Sequence, residues 1–194
     1  TGVSYNMQRP AEKFGRVAIT FHWVMAFGLV LSVLFGVGAV YIDDTRTSRT
    51  ALEVHQTIGV LMLLLVAARL YWRLTHKPPA LPTDLPRGQR LASTVMHGTL
   101  YLFLLGMPLS GYIGLAARGR EIPVFGLFNL PHLVPRSFDL SANAQSLHYY
   151  AQFAMYGLVV LHILAALYHH FIMKDGILRR MLPGGRKGLQ SDTF

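Results

Sequence analysis

The sequence predicts an all-α membrane protein, a bundle of four transmembrane helices. Of its 194 residues, 52% are hydrophobic and only 14% are charged, where a soluble domain carries about a quarter. The missing charge is gathered into long stretches: residues 17–40, 91–117 and 140–173 hold no Asp, Glu, Lys or Arg. Each is longer than the ~20 apolar residues a membrane-spanning helix needs. A fourth apolar stretch, 54–68, is shorter and reaches residue 73 if Arg69 and Arg73 snorkel beside Tyr71 and Trp72 at the membrane interface.

Taken in order, the elements form one domain over 1–194. The first helix covers about 17–40. It reads as a span rather than a leader, being long, without a small-residue cleavage pattern and preceded by sixteen polar-leaning residues. A polar turn, Ile42–Thr50, carries Asp43 and Asp44. The second helix covers about 52–73. A proline-rich loop from Lys77-Pro78-Pro79 to Pro86 cannot be helical throughout. The third helix covers about 91–116, with Pro108 expected to bend it. The connection 117–144 is long for a compact bundle. Its Pro123-Val-Phe-Gly-Leu-Phe128 run is apolar enough to lie on the membrane as a lid. The fourth helix covers about 145–173.

The net charge of +9 points to orientation and not to nucleic acid. The N-terminal segment, the 69–90 connection and the tail after 173 hold thirteen cations against four acids. The other two connections hold five of each. All the excess therefore lies on one side of a four-span chain. Lys/Arg bias places that side in the cytoplasm, with both termini inside. The chain has no cysteine, which excludes thiolate-bound zinc, iron–sulfur clusters and covalently attached haem.

Histidines on apolar helices are the candidate functional residues, because ionisable side chains inside a membrane are costly and functional by default. His148 and His162 lie fourteen residues apart, about 21 Å of helix rise and within roughly 40° of the same face. His55, near the outer end of the second helix, matches the level of His148. His22, six residues into the first helix, matches His162. Two depth-matched imidazole pairs, His55/His148 and His22/His162, are the layout that holds two b-type haems, one near each side of a bilayer. Depth does not choose between His22 and His97, which lies at the same level on the third helix. His169 continues the stripe about two turns deeper, within reach of a haem propionate or a quinone headgroup. His170 turns away, and His76 and His132 fall in loops.

Trp23 can pack on a porphyrin or at the interface. Gly59, Gly106, Gly111 and Gly157 can admit a flat cofactor or another helix. Arg118 and Arg120, on the outer side, can attract an anion. The sequence has no glycine-rich phosphate loop, metalloprotease motif or nucleophile triad.

The chain resembles the bacterial cytochrome b561 family, di-haem membrane cytochromes with four helices. The matching stretches are Arg16-Val-Ala-Ile-Thr-Phe-His22-Trp23, Val54-His55-Gln-Thr-Ile-Gly59 and Arg69-Leu-Tyr-Trp-Arg73 with Pro78-Pro79. They continue with His97, Leu147-His148, Leu161-His162 through His169-His170, and Lys174-Asp175. The resemblance covers about residues 9–183. It implies that His22 rather than His97 is the inner ligand, and leaves His97, His169 and Arg73 for propionates or quinone. It also implies an oxidoreductase that takes electrons from periplasmic superoxide, guided by Arg118 and Arg120, and passes them to ubiquinone. The other activity it allows is that of a haem-bearing subunit linking the quinone pool to a partner dehydrogenase, hydrogenase or cytochrome. Membrane lipid and quinone are the partners in either case.

Overall fold

A computed structural model describes residues 13–79 and 85–184. Part of the proline-rich loop, 80–84, and the charged residues Arg9, Glu12, Arg186, Lys187 and Asp192 lie outside the described residues. Four helices long and apolar enough to cross a membrane dominate the chain. They are α1 (Arg16–Tyr41), α2 (Thr45–Thr75), α3 (Arg87–Ala117) and α4 (Phe138–Tyr168). A π-helical turn, His169–Met173, and a short 3-10 turn, Leu178–Arg180, follow α4.

Three helices begin earlier than the sequence suggests. The polar turn expected over Ile42–Thr50 shrinks to Ile42–Asp44, because Asp44 caps α2 by accepting from the Thr47 N–H at 2.7 Å, as a helix N-terminus requires. Hydrogen bonding by Thr47 holds the Asp44 carboxyl below its usual pKa. Helix α3 begins at Arg87 instead of residue 91, behind Pro86, whose missing N–H would have had no helical partner there. It runs on through Pro108. Helix α4 begins at Phe138 instead of residue 145, capped by the Ser137 hydroxyl, which accepts from Leu140 N–H at 3.2 Å. Asp139 in its first turn suits the positive end of the helix dipole. The long outer connection is accordingly 118–137.

That connection is an ordered structure. Pro123–Val124 (β1) pairs antiparallel with Phe128–Asn129 (β2), Val124 opposite Phe128. Phe125 and Gly126 turn the hairpin with positive φ, as a tight hairpin turn demands. Thr57 of α2 clamps it, its hydroxyl donating to Pro123 O and accepting from Phe125 N–H. Ile122 and Val124 are buried, while Phe125, Leu127 and Phe128 are exposed, leaving an apolar surface on the hairpin.

Helix α1 packs along α2, α3 along α4, and α2 against α3 more sparingly, while α1 and α4 have no extended contact. The small buried core of Met25, Met62 and Val66, with Leu29, Ile58, Leu65, Tyr101, Leu104 and Leu105 around it, joins α1, α2 and α3. Met62 lies about 10 Å of helix rise inward of His55, and Met25 one turn beyond His22. The core thus sits between the two histidine levels. Phe27, Leu34, Leu64 and Leu102 are among the many large apolar side chains left exposed, which suits a lipid-facing surface.

Candidate functional site: paired imidazoles at two depths

At the outer level, the rings of His55 on α2 and His148 on α4 stand with centroids 6.0 Å apart. Each is aimed by a neighbouring helix. His55 Nδ1 donates to the Ser32 carbonyl of α1 at 2.8 Å, with the Ser32 hydroxyl 3.2 Å away. His148 Nδ1 donates to the Met107 carbonyl of α3 at 2.9 Å, with the Ser110 hydroxyl at 3.1 Å. A carbonyl only accepts, so Nδ1 carries the proton on both rings and Nε2 is left with its lone pair. Two glycines make room for the rings. A Cβ at Gly36 would lie 2.7 Å from His55 Nδ1, and one at Gly111 3.3 Å from His148.

At the inner level three imidazoles converge. His162 of α4 lies 6.2 Å from His22 of α1 and 5.5 Å from His97 of α3, centroid to centroid. His97 Nδ1 donates within its own helix to Ser93 O at 2.6 Å. Both candidates that depth left open are therefore beside His162. Arg69 is half-buried. Its NH1 lies 3.8 Å from Met25 Sδ and its guanidinium 5.7 Å from the Tyr101 ring. Arg73, which is exposed, approaches the same ring at 5.6 Å.

Beyond the inner level, His169 Nδ1 pairs with the Asp175 carboxylate, whose second oxygen accepts from Ile177 N–H at 3.0 Å. Trp23 donates through Nε1 to Met181 O at 2.7 Å. His76, stacked on Trp72, and His132, hydrogen-bonded to Arg120 O, are exposed as expected. Gly59, Gly106 and Gly157 have open space where a side chain would start, and Gly111 seats His148. At the end of the bundle that carries His55 and His148, Arg118 and Arg120 are exposed. Arg118 closes α3 with its guanidinium 5.4 Å from the Phe138 ring, about 10 Å of helix rise beyond Gly111.

Two observations bear on whether b-type haem fits. With about 2 Å for each metal–imidazole nitrogen bond, rings on opposite sides of one metal have centroids roughly 6 Å apart. The separations of 6.0 and 6.2 Å meet that spacing, and 5.5 Å falls short of it. In addition, the Nδ1 bonds of the outer pair leave the lone pair that an axial ligand needs. Among the described residues no group of three or more His, Asp or Glu is placed to hold a bare metal ion. Two facing imidazoles at each level are residues that would hold a haem, which would supply one-electron redox chemistry.

A multi-pass membrane protein with imidazoles facing each other at two depths is of the membrane-cytochrome class. Comparison with known proteins agrees. A family profile described as prokaryotic cytochrome b561 matches residues 13–184. Cytochrome b561 homolog 2 of Escherichia coli (strain K12) is 35% identical over 88% of this chain and 92% of its own length. The probable superoxide oxidase CybB of Yersinia pestis is 34% identical over 69% of this chain and 75% of its own. Cytochrome b562 of Cereibacter sphaeroides is 28% identical over 87% and 94%. The chain belongs to the prokaryotic cytochrome b561 family, membrane electron-transfer proteins of the inner membrane that use b-type haem.

Several functional contacts escape the sequence. Ser32, Met107 and Gly36 carry no recognisable signal, since their roles depend on how neighbouring helices are rotated. Asp175, six residues beyond His169 across a helix end, was within reach of sequence reasoning.

Proposed function

We propose that this chain binds two b-type haems and carries electrons from superoxide at its outer face to ubiquinone at its inner face. The observation that carries the reading is the pair of imidazole spacings, 6.0 Å for His55/His148 and 6.2 Å for His22/His162. The name of the Yersinia pestis relative supports superoxide as the donor. The charge split between connections supports an outer face toward the periplasm and both termini in the cytoplasm.

His55 and His148 hold the outer haem and His22 and His162 the inner one. The bound haems supply one-electron redox chemistry. Ser32 and Met107 keep the outer ligands in the tautomer that offers Nε2. Arg69, half-buried with no carboxylate partner among the described residues, supplies positive charge for inner propionates. Arg118 and Arg120 raise the local concentration of the superoxide anion at the outer end. Each of two superoxide anions loses one electron and leaves as O₂. Ubiquinone gains two electrons and two protons and leaves as ubiquinol. His169, held at Nδ1 by Asp175, has Nε2 free of that contact to pass a proton to a quinone oxygen, with Arg73 as the nearby cation.

Stopped-flow mixing of superoxide with the oxidised, purified chain and a quinone tests this. The expected result is haem reduction followed by quinol formation, at a rate that falls with ionic strength and in Arg118→Ala. Haems that stay oxidised with superoxide but are reduced by a partner dehydrogenase or cytochrome would overturn the donor assignment.

A further inference from the structure

The end of α4 builds a second, different site. The π-helical turn His169–Met173 gives way to Lys174 with φ 53° and Gly176 with φ 75°, so the chain turns back sharply where the span ends. The turn leaves a cavity of about 270 Å³ lined by His170, Phe171, Lys174, Gly176 and Arg179. Its charge is one-sided. Asp175 is the one carboxylate in residues 169–184, and it is engaged by His169 and by Ile177 N–H. Lys174 and Arg179 are exposed and have no acidic partner among the described residues. The adjacent arginine behaves in the opposite way. Arg180 is 2% exposed, donates to Pro79 O at 3.1 Å and lies 5.3 Å from the Phe14 ring. One arginine ties the C-terminal segment to the bundle, and its neighbour is left for the cavity.

The surroundings define the ligand. The cavity lies at the end of the fourth candidate span, Phe138–Met173, where a bilayer's headgroups would begin. Phe171, which lines it, and the next residue, Ile172, are 63% and 67% exposed, an apolar flank beside the charged one. A guanidinium fork with a lysine point charge is the chemistry that binds phosphate oxygens. An imidazole adds a hydrogen-bond donor in either protonation state. We propose that this cavity binds the phosphate group of an anionic phospholipid, with Lys174 and Arg179 on the phosphate and Phe171 against the start of an acyl chain. Inorganic phosphate shares the headgroup chemistry but has nothing to place on the apolar flank. The proposal is independent of the haem and quinone assignments.

The full chain is reconstituted in nanodiscs of phosphatidylcholine alone or with phosphatidylglycerol. Retained lipid is counted by native mass spectrometry, and the thermal unfolding midpoint is measured. The wild type should retain one phosphatidylglycerol per chain and unfold at a higher temperature when it is present. In Lys174→Gln/Arg179→Gln the occupancy should fall about tenfold or more, as expected for two interfacial cations. Arg46→Gln, a cation at the opposite end, should behave as wild type. If the double variant does not fold, the single variants Lys174→Gln and Arg179→Gln read the same loss at smaller size. Equal retention in wild type and variants, or equal retention of the two lipids, overturns the site. Stabilisation by inorganic phosphate in phosphatidylcholine nanodiscs as large as that by phosphatidylglycerol overturns the lipid as its ligand.

Discussion

Replacing Gly36 by alanine should empty the outer haem site without unfolding the bundle. The added Cβ would stand 2.7 Å from His55 Nδ1 and 2.8 Å from its Cε1, where ordinary contact begins at 3.4 Å. The ring must therefore retreat by about 0.7 Å, and in doing so stretches its 2.8 Å bond to Ser32 O. Overpacking of this kind costs about 1–3 kcal/mol, and a weakened hydrogen bond about 1 kcal/mol. Alanine returns up to about 1 kcal/mol of helix propensity, so α1 persists and the strain falls on the imidazole. Disturbing a partner that orients a metal-binding histidine lowers affinity roughly 10- to 100-fold. Gly38→Ala, on the same helix with open space around its Cβ, is the matched control. Haem per chain is measured by pyridine haemochrome, with thermal unfolding alongside. The expected outcome is loss of one haem in Gly36→Ala, none in Gly38→Ala, and a folded chain in both. Full haem content with unchanged spectra in Gly36→Ala would refute the argument that Gly36 seats an axial ligand.

Gly111→Ala should act in the same direction but more weakly, because its Cβ meets His148 at 3.3 Å and a small ring shift relieves the contact; haem affinity by titration reads it. Asp44→Ala should lower the unfolding midpoint at neutral pH. The Asp44 pKa is lowered in the fold, so its stabilisation is present above the ordinary Asp value of about 4 and is lost as the pH falls through the lowered value. The difference between the two proteins should therefore shrink in acid, as measured by thermal unfolding across pH. Asp175→Asn should leave both haems in place and slow quinone reduction about tenfold or more by weakening the proton donor at His169. Unchanged quinone kinetics would place proton delivery elsewhere.

The spans were legible because charge-free runs of more than 20 residues have few other uses. The helix starts were not. Thr45–Thr50 and Phe138–Ala144 precede the expected helices and are rich in polar residues, although Asp44 and Ser137 were capping signals in plain view. The four histidines were legible through spacing along single helices. The choice between His22 and His97 was not, since depth is a one-dimensional quantity and the structure places both beside His162. The contacts of Arg69 were not legible for a related reason: Tyr101 and Met25, which it meets, come from other helices. The hairpin over 123–129 depends on Thr57, sixty-six residues away from Pro123, and no local pattern announces that contact.

Haem stoichiometry in ligand variants tests the two-pair arrangement most directly. Pyridine haemochrome and reduced-minus-oxidised spectra of the purified chain should give two b-type haems. His55→Ala and His148→Ala should each lose the same one, and His22→Ala and His162→Ala the other, while His97→Ala keeps both. One haem per wild-type chain, or retention of both in His22→Ala with loss in His97→Ala, would contradict the arrangement.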